Sequence, residues 1–568
     1  MNKRRCLPIL VIAIIAAVMV LPQMITGGLI LENDSIFHFN RIFDTYAQLK
    51  THRLSYFQMN NSFQQSGRVI NAVYRPGLSY ILGFLLLICG SWVNFQVASL
   101  FLVFFIAGIG MYFLSKRIGA DTMVAICASA IFMGSPYINA WGLSQQFTSW
   151  GMMLMPFVFV NGLDMIDVNK EVNVVSLAVS VAVVIQVHML SAVLAVLALI
   201  PFFLIGLWYR TERINYCLRV GIASAIALVL SLNVFGMMGE LFTGNNIIPP
   251  FPNMKMQDYT GTLSLNVPPI TAVNIGVILS VILVVYVIVF MILPKNRIIT
   301  TVTIISVLFF ILSSKLVPWT RLSTLIPSVT TFIQFPIRFL TVAETLMVAG
   351  LSYEFTVLKN KQNVVSSFAS AFVTACAICA VLVCSGQIYQ ESAAWYSNSP
   401  IQRTVNLNLA HKASAKDIRR AFASSDLSAG LNLVQKESPD YLPASKKMNA
   451  ETYEHVHPYF QYRQEFINRN WMFNKRISGK RLITRWRQNS NGETTVPVVK
   501  YKNTKVILNG RTLNNADVRT SVIGSMMLKS KKGLNTLVTS YNPNFLTKFA
   551  ILAAVVSWIG LIFISLIG

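Results

Sequence analysis

Long apolar runs alternate with short polar segments along most of this chain. A helix that crosses a bilayer needs about 20 mainly apolar residues, and runs close to that length recur along the first two thirds of the chain and again at its end. We therefore predict an α-helical polytopic membrane protein with about twelve spans and both termini in the cytoplasm. The predicted spans are 7–27, 94–114, 122–138, 150–166, 173–187, 189–208, 219–238, 272–293, 297–313, 338–357, 365–384 and 546–567.

The run Leu78–Gly90 is too short for a span, and we interpret it as a juxtamembrane or re-entrant helix. Leaving it out places the segments that carry Lys or Arg on the cytoplasmic side, as the positive-inside rule requires. These cationic segments are Asn2–Arg5, Ser115–Arg117, Tyr209–Arg219, Pro294–Arg297 and Leu358–Lys361. The remaining loops are then extracytoplasmic: 28–93, 139–149, a tight turn at His188, 239–271, 314–337 and 385–545.

Three domains follow from this pattern. Residues 1–384 form a transmembrane domain with the first outer loop 28–93, residues 385–545 form an extracytoplasmic domain, and residues 546–568 form the last helix. From Arg481 onward, apolar residues alternate with polar ones, and Asn509-Gly510 is a strong turn signal. The second half of the extracytoplasmic domain is therefore predicted to be β-rich, a small β-sandwich over the outer face.

Residues 33–52 of the first outer loop predict an amphipathic helix that begins near Ser35, with Asn33 or Asp34 as its N-cap. Steps of four and three residues put polar groups on one side and apolar groups on the other. The polar side carries Asp34, His38, Arg41, Thr45, Gln48 and His52. We expect this helix to lie against the membrane with its polar side in water, and the simplest alternative is that Asp34 only caps it.

Composition narrows the class of protein further. The chain has 568 residues, is 54% hydrophobic and only 12% charged, and has a mean hydropathy of +0.56, which excludes a soluble globular protein. Its net charge of +25 fits cationic cytoplasmic loops and anionic lipid better than nucleic acid.

Charged and polar groups near the membrane are costly unless they are used or paired, so those at the outer ends of spans are candidates for chemistry. They are His188 between two spans, Glu240 at the end of the seventh, Arg75 before Leu78–Gly90, and Arg321, Gln334 and Arg338 in or beside the loop 314–337. An arginine can clamp a phosphate through several donors. The alternatives are interfacial side chains and arginines that extend to lipid head groups.

A metal site is a weaker hypothesis. Glu451, His455 and His457 lie close together in the extracytoplasmic domain, but no third strong ligand is evident beside the two histidines. No nucleotide-binding loop or hydrolase motif is present in a usable context. The sequence indicates no cofactor with certainty and leaves a divalent metal open.

The segment Asp34-Ser-Ile-Phe-His-Phe-Asn-Arg-Ile resembles the YfhO-type bacterial membrane proteins, also described as 6-pyruvoyl-tetrahydropterin-synthase-related, within the C-type glycosyltransferase (GT-C) superfamily. Further segments resemble that family in the same order: Tyr74-Arg-Pro-Gly-Leu, Ser135-Pro-Tyr, His188-Met-Leu-Ser, Gln334-Phe-Pro-Ile-Arg-Phe-Leu and Val506-Ile-Leu-Asn-Gly. Two departures are that Arg75 replaces a proline and that the Arg and Glu frequent after Ser135-Pro136-Tyr137 are missing.

The resemblance implies a membrane glycosyltransferase that moves a sugar from a polyprenyl-phosphate donor, such as undecaprenyl phosphate, to a cell-envelope acceptor on the outer face. The acceptor would be a polymer such as teichoic acid or another polysaccharide, a glycolipid or a protein. In that superfamily an acid of the first outer loop acts as the base or positions the acceptor, which here is Asp34. We add from the residues themselves His38 and, as a second acid, Glu240. The candidate phosphate ligands are Arg338, Arg321, Arg75 and Arg41, with His188 and Gln334 as further site residues.

This implies a protein of the bacterial plasma membrane whose partners are lipids and envelope glycans, and not nucleic acid. Two alternatives stay open, a flippase or transporter of lipid-linked saccharide and a non-catalytic scaffold for envelope-polysaccharide assembly. A transporter predicts ionisable residues deep inside spans and repeat symmetry, and the sequence displays neither.

Overall fold

The computed structural model describes residues 3–262, 276–360, 364–401 and 404–567. Residues 272–275 of one predicted span, and Asn2 and Lys361 of the cationic segments, lie outside the described residues. The α-helices in the described ranges are α1 (Lys3–Thr26), α2 (Ser35–Thr51), α3 (Pro76–Cys89), α4 (Trp92–Ile118), α5 (Thr122–Met133), α6 (Pro136–Ser144), α7 (Thr148–Met152), α8 (Met155–Ile166), α9 (Val174–Val187), α10 (Met189–Tyr209), α11 (Arg213–Leu230), α12 (Leu232–Gly244), α13 (Val277–Ile292), α14 (Arg297–Ser313), α15 (Trp319–Leu325), α16 (Val329–Phe332), α17 (Leu340–Lys359), α18 (Val364–Ala394), α19 (Ala415–Phe422), α20 (Ser428–Leu433), α21 (Ala450–Val456), α22 (Pro458–Tyr462) and α23 (Phe545–Ile567).

The strands lie almost entirely in the C-terminal part of the chain. They are β1 (Asn246–Ile247), β2 (Leu407–Leu409), β3 (Val434–Lys436), β4 (Pro443–Ala444), β5 (Asn474–Ser478), β6 (Arg481–Gln488), β7 (Gly492–Val499), β8 (Thr504–Leu508), β9 (Arg511–Leu513), β10 (Arg519–Thr520), β11 (Ser525–Ser530) and β12 (Gly533–Tyr541). The predicted fold class is confirmed: an α-helical membrane protein with a β-rich region before its last helix.

The predicted count of twelve spans is wrong. Among the described residues, seven helical segments are long and apolar enough to cross a membrane, and α5 with α6, bent by 43°, gives an eighth if the pair is one span. Helices α9, α13 and α14 have 14, 16 and 17 residues, which is short of the roughly 20 residues that a bilayer requires. Helix α17 is long enough but contains two buried glutamates, which lower its hydropathy.

The chain divides into two compact units. The first unit comprises Met1–Ile30, Gln96–Leu228 and Asn253–Ala394, and the second comprises Leu31–Phe95, Val229–Pro252 and Trp395–Gly568. In the first unit, segments that were predicted to share the cytoplasmic side contact each other. Arg117 forms ion pairs with Asp164 at 2.6 Å and Asp167 at 2.9 Å, and Lys359 pairs with Asp121.

The β-rich part of the second unit has two antiparallel sheets, with strand orders β5-β6-β12-β8-β9 and β10-β11-β7. Side chains from both sheets share one apolar core, which includes Trp486, Val498, Val506 and Leu537. Asn509 and Gly510 have φ values of 51° and 85° and connect β8 to β9, as the primed turns of two-residue hairpins require. Here the alternating pattern predicted both the strands and the turn.

Helix α2 begins at Ser35, as predicted. The expectation that its polar side faces water is wrong for the middle of that side, whereas Asp34 and His52 at its two ends are exposed. His38, Arg41, Thr45 and Gln48 are each at most 3% exposed. The helix packs on α3, where the Thr45 hydroxyl donates to the Ser79 carbonyl at 2.7 Å. The polar groups in the middle of α2 can be buried, because hydrogen bonds inside the second unit offset the free-energy cost of removing them from water.

Candidate functional site

Asp34 occupies the N-cap position of α2 without acting as a cap. Its side chain is exposed and makes no capping hydrogen bond. The local turn is closed instead by the Glu32 amide, which donates to the Ser35 hydroxyl oxygen at 2.8 Å. Helix capping therefore does not account for an acid at this position.

The Arg41 guanidinium joins α2 to the start of α3. It is fully buried, donates to the Asn71 side-chain oxygen at 3.2 Å and the Ser79 hydroxyl at 2.7 Å, and lies 3.1 Å from Nδ1 of His38. It also donates to the Tyr74 carbonyl and lies over the Tyr74 ring, with 4.7 Å from Cζ to the ring centroid. Burial lowers the pKa of Arg41 to about 9. These contacts suit a residue that holds the site in place.

Arg75 stands beside two buried phenols. It is 6% exposed, has a φ of 56°, and donates to the Val73 carbonyl, while its Nε has no hydrogen-bond partner. Burial lowers its pKa to about 10, and the charges of Tyr441 and Tyr74 act in the opposite direction. A left-handed backbone at a residue other than glycine is strained, and a buried unpartnered donor is costly. Both features are typical of a ligand-binding position.

A second carboxylate comes from the segment 436–441, which the sequence analysis missed. This segment follows strand β3, whose Lys436 pairs with Leu407 of β2. Lys436 donates to the backbone carbonyls of Asn33 at 2.9 Å and Val405 at 2.7 Å. Arg68 donates to the carbonyls of Ser438 at 2.7 Å and Asp440 at 2.6 Å. The segment is therefore fastened directly beside Asp34.

Asp440 and Asp34 interact electrostatically. Burial raises the pKa of Asp440 to about 6, the Arg68 guanidinium opposes this shift, and the negative charge of Asp34 adds to it. The Tyr459 hydroxyl donates to the Asp440 carboxylate, whose Oδ1 has no partner. A carboxyl whose pKa is raised to about 6 can bind and release a proton close to neutral pH.

Tyr74 and Tyr441 form one wall of this carboxylate site. Their rings are in edge contact, with centroids 5.4 Å apart. Burial raises the pKa of Tyr74 to about 12, and the charges of Asp440 and Asp34 add to the effect. The site thus combines two acids, one strained arginine and neutral phenols. In the sequence, the segment 436–441 is a short polar stretch, Lys-Glu-Ser-Pro-Asp-Tyr. An ordinary turn has the same composition, so the sequence alone did not mark this segment as part of a site.

Glu240, the predicted second acid, makes contacts of a different kind. Its Oε1 accepts hydrogen bonds from the Asn503 amide and the Tyr541 hydroxyl, both at 2.6 Å, and its Oε2 accepts from the Asn544 backbone at 3.1 Å. These bonds tie α12 to the β-rich region and to the start of α23. This arrangement favours a structural role.

We expect Glu240→Gln to keep normal activity, because the glutamine oxygen can still accept the bonds from Asn503 and Tyr541. Glu240→Ala leaves buried donors unpaired and should destabilise the protein by about 1–3 kcal/mol. Thermal unfolding of the purified variants, with transfer measured at matched folded protein, checks both. A Gln variant that folds normally but is inactive would return Glu240 to the catalytic set.

The remaining predicted residues belong to the first unit. His188 is the N-cap of α10, with its Nδ1 accepting from the Ser191 amide at 3.3 Å. Arg338 donates to the Ile333 carbonyl at 2.8 Å and to the Gln334 side-chain oxygen at 3.2 Å. The structure therefore brings Gln334 and Arg338 together, whereas Arg321 is exposed on α15. Their roles as phosphate ligands stay predictions.

Glu344, another residue that the sequence analysis did not single out, supplies an acid at the Ser135-Pro-Tyr segment. The Ser135 hydroxyl donates to its Oε2 at 2.5 Å, and its Oε1 is buried without a partner. Tyr137 interacts electrostatically with both Glu344 and Arg338. A carboxylate from α17 thus lies beside Ser135, although none follows Ser135-Pro136-Tyr137 closely in the sequence.

The described residues bring together no group of three or more His, Cys, Asp or Glu side chains that could hold a metal. His455, considered above as a ligand, lies with its Nδ1 2.8 Å from the Glu451 carbonyl oxygen on α21.

Comparisons with known proteins place the chain in a family. Curated protein sequences gave no match. Similar solved structures include the arabinofuranosyltransferase AftD from mycobacteria, with 15% identity over 69% of this chain and 27% of that chain, at a TM-score of 0.39. They also include ArnT from Cupriavidus metallidurans bound to undecaprenyl phosphate, with 11% identity over 69% of this chain and 76% of that chain, at a TM-score of 0.37.

This chain spans about a quarter of the length of AftD. The model of a membrane-protein family, described as the 6-pyruvoyl-tetrahydropterin synthase related domain, matches residues 73–396, which is more than half of the chain. The family predicted from the sequence is therefore confirmed, and this chain belongs to the membrane proteins with a 6-pyruvoyl-tetrahydropterin synthase related domain.

Proposed function

We propose that this protein is a membrane glycosyltransferase. It transfers a sugar from a polyprenyl-phosphate-linked donor, undecaprenyl phosphate in the simplest case, to a cell-envelope acceptor at the outer face of the bacterial plasma membrane, with both termini in the cytoplasm. The observation that carries the proposal is the segment 436–441, which Lys436 and Arg68 hold beside Asp34 so that Asp440 lies within electrostatic range of Asp34. The strained, buried Arg75 lies beside Tyr74 and Tyr441 of the same site. The resemblance of the Asp34 segment to the GT-C superfamily supports the same reaction class.

The proposed reaction is a direct displacement. The Asp34 carboxylate takes the proton of an acceptor hydroxyl as that oxygen bonds to the anomeric carbon of the donor sugar. The bond from the anomeric carbon to the phosphate oxygen breaks, and the polyprenyl phosphate leaves with the electron pair. The negative charge of Asp440 makes Asp34 a stronger base, because a neighbouring like charge favours the protonated form.

Arg75 is the proposed ligand of the leaving phosphate in the second unit. Negative charge grows on the phosphate oxygen as the glycosidic bond breaks, and a fixed cation in a buried site stabilises that charge more than water does. Its unpartnered Nε gives it a donor to offer. Arg41 and His38 act as positioning residues in this scheme, since they bind each other and the start of α3.

Analysis of envelope glycans and lipids tests the proposal. Cells that lack the protein should lose one sugar from an envelope polymer, glycolipid or protein and accumulate the polyprenyl-phosphate-linked sugar on the outer leaflet. Wild type should restore the sugar, and Asp34→Asn at equal expression should not. Accumulation of the donor on the inner leaflet would instead indicate a flippase, and an unchanged glycan profile with altered polymer assembly would indicate a scaffold.

The carboxylate pair also predicts a pH dependence. The pKa of Asp440 is raised to about 6, so its carboxyl is neutral below that pH and charged above it. We expect transfer to fall as the pH drops through about 6, because protonated Asp440 no longer strengthens Asp34 as a base. In Asp440→Asn this acidic limb should move away from pH 6, which a pH profile of kcat/KM would detect.

Asp44 provides the control for the pH profile. It is also buried, accepts from the Asn61 amide at 2.7 Å, and has a pKa raised by burial to about 6. If Asp440 causes the fall in kcat/KM near pH 6, Asp44→Asn should show the same fall at the same pH. A limb that survives in Asp440→Asn and disappears in Asp44→Asn would assign the pH dependence to Asp44.

A further inference from the structure

The second unit contains a cleft of about 270 Å³ that differs in chemistry from the carboxylate site. It lies between the first half of α2, the turn 61–65, helix α20 with the following strand β3, and Asn470. Seven of the twelve described residues that line it are Asn or Gln, and none of the twelve is charged. Its volume is near the lower end for small-ligand pockets, about 300 Å³.

Amide side chains carry both a donor and an acceptor, as sugar hydroxyls do. The cleft presents them from several directions: Asn61, Gln64, Gln65, Asn432, Gln435 and Asn470. Phe43 and Phe63 add apolar surface, which suits the C–H faces of a sugar ring. This combination matches an uncharged, polyhydroxylated ligand, and the lining offers no cationic side chain to neutralise an anion.

Two buried polar atoms in the cleft lining lack partners. The Ser62 hydroxyl makes no hydrogen bond, and Ser62 is only 5% exposed. The Asn470 side-chain oxygen is likewise buried and has no partner. Buried polar atoms are almost always hydrogen-bonded in native proteins. Both atoms belong to residues that line the cleft, so a side-chain rotation would let a ligand supply the missing bonds.

The backbone of the cleft is strained at the same place. Phe63, Gln64 and Gln65 have φ values of 48°, 57° and 50°, a left-handed run that residues other than glycine rarely adopt. It is held by the Asn40 side-chain oxygen, which accepts from the Phe63 amide at 2.9 Å. Lys475 also donates to the Gln64 carbonyl at 2.7 Å. Strain that several contacts maintain is a feature of functional sites.

Arg68 links this cleft to the carboxylate site. Its guanidinium donates to the Asp440 carbonyl at 2.6 Å, and its Cζ lies 4.5 Å from the centroid of the Phe63 ring. Arg68 thus contacts both a residue of the cleft lining and the backbone of the segment that carries Asp440.

We propose that this amide-lined cleft binds one uncharged sugar residue of the acceptor. Binding of a neutral sugar does not depend on the proposed transfer reaction. The identification of that sugar as part of the acceptor rests on the proposed function. The cleft selects against uronic acids and phosphorylated sugars, because they would bury a charge among neutral amides.

The test is direct binding to the full-length protein in detergent, without donor lipid. The probes are the methyl glycosides of glucose, galactose and N-acetylglucosamine, with methyl glucuronide as the charged counterpart. Their binding is measured by saturation-transfer NMR. We expect saturable binding of at least one neutral glycoside and none of the glucuronide. No binding of any neutral glycoside, or equal binding of the glucuronide, would overturn the proposal.

Variants locate the binding. Asn432 is exposed in the cleft lining, so Asn432→Trp should fill the cleft and weaken binding by about tenfold or more, which is at least 1.4 kcal/mol. Asn468→Trp, an exposed position outside the lining, is the matched control. Ser62→Ala adds no volume and should also weaken binding, which decides the matter if the Trp variant fails to fold. Unchanged binding in both cleft variants contradicts the assignment.

The binding and transfer proposals fail in different ways. Asp34→Asn should bind the neutral glycoside normally and transfer sugar more slowly by about 100-fold or more. Asn432→Trp should retain transfer with a raised KM for the acceptor. If no variant affects transfer because the protein catalyses none, sugar binding to the cleft still stands or falls on the NMR measurement alone.

Discussion

We expect Asp34→Asn to fold as well as wild type and to lose glycosyl transfer by about 100-fold or more, the usual range for loss of a general base. Asparagine is as good an N-cap residue as aspartate, and the Asp34 side chain makes no capping bond in any case. The loss therefore reports on the carboxylate itself. The measurement is transfer to the envelope acceptor at matched expression, together with thermal unfolding of the purified variant.

Glu454→Gln is the control for Asp34→Asn. Glu454 is an exposed carboxylate of the same unit, on α21, and removing its charge should leave transfer unchanged. Full transfer by Asp34→Asn would remove Asp34 from the catalytic scheme. Loss of transfer together with loss of thermal stability would instead indicate a structural role, since the proposed base contributes to the reaction and not to the fold.

The second large effect is expected at Arg75. Arg75→Lys keeps a positive charge but removes the fork of donors that matches a phosphate. Losing one donor that stabilises a developing oxyanion costs about 100-fold or more in kcat, and we expect a reduction of that order. Arg75→Ala should be still less active. Single-turnover rates with a polyprenyl-phosphate sugar would separate this effect on the chemical step from one on donor binding.

Arg53→Lys gives the comparison for Arg75→Lys, because Arg53 is exposed in the same outer loop. Transfer should be unaffected there. An arginine that only fills space or extends toward lipid head groups would tolerate lysine, so equal single-turnover rates for Arg75→Lys and wild type would exclude Arg75 as the phosphate ligand. Attention would then move to Arg338, which already has a partner in Gln334.

Several features of this protein follow from the sequence alone because they depend on neighbouring residues. The apolar runs predicted where helices form, and α1, α4, α10 and α23 lie close to the predicted spans. The alternating pattern after Arg481 predicted strands, and Asn509-Gly510 predicted a hairpin turn with two positive φ values. Helix periodicity, strand alternation and turn chemistry are local properties.

Only the structure revealed which apolar runs form helices long enough to cross a membrane, since helices of 14 to 17 residues fall short of that length. The environment of α2 was decided by tertiary structure. The spacing of its polar residues predicted a side that faces water. Arg41 is nevertheless fully buried, because Asn71, Ser79 and Tyr74 accept hydrogen bonds from its guanidinium.

The composition of the carboxylate site depends entirely on long-range packing. Lys436 bonds to the carbonyl of Asn33 across 403 residues, which fastens the segment of Asp440 beside Asp34. Ser135 reaches Glu344 across 209 residues in the same manner. No periodicity or motif spacing encodes such pairs, because what brings them together is the packing of whole elements and the need of buried polar groups for partners. The sequence determined that Asp34 begins a helix, and only the tertiary structure decided which acid stands next to it.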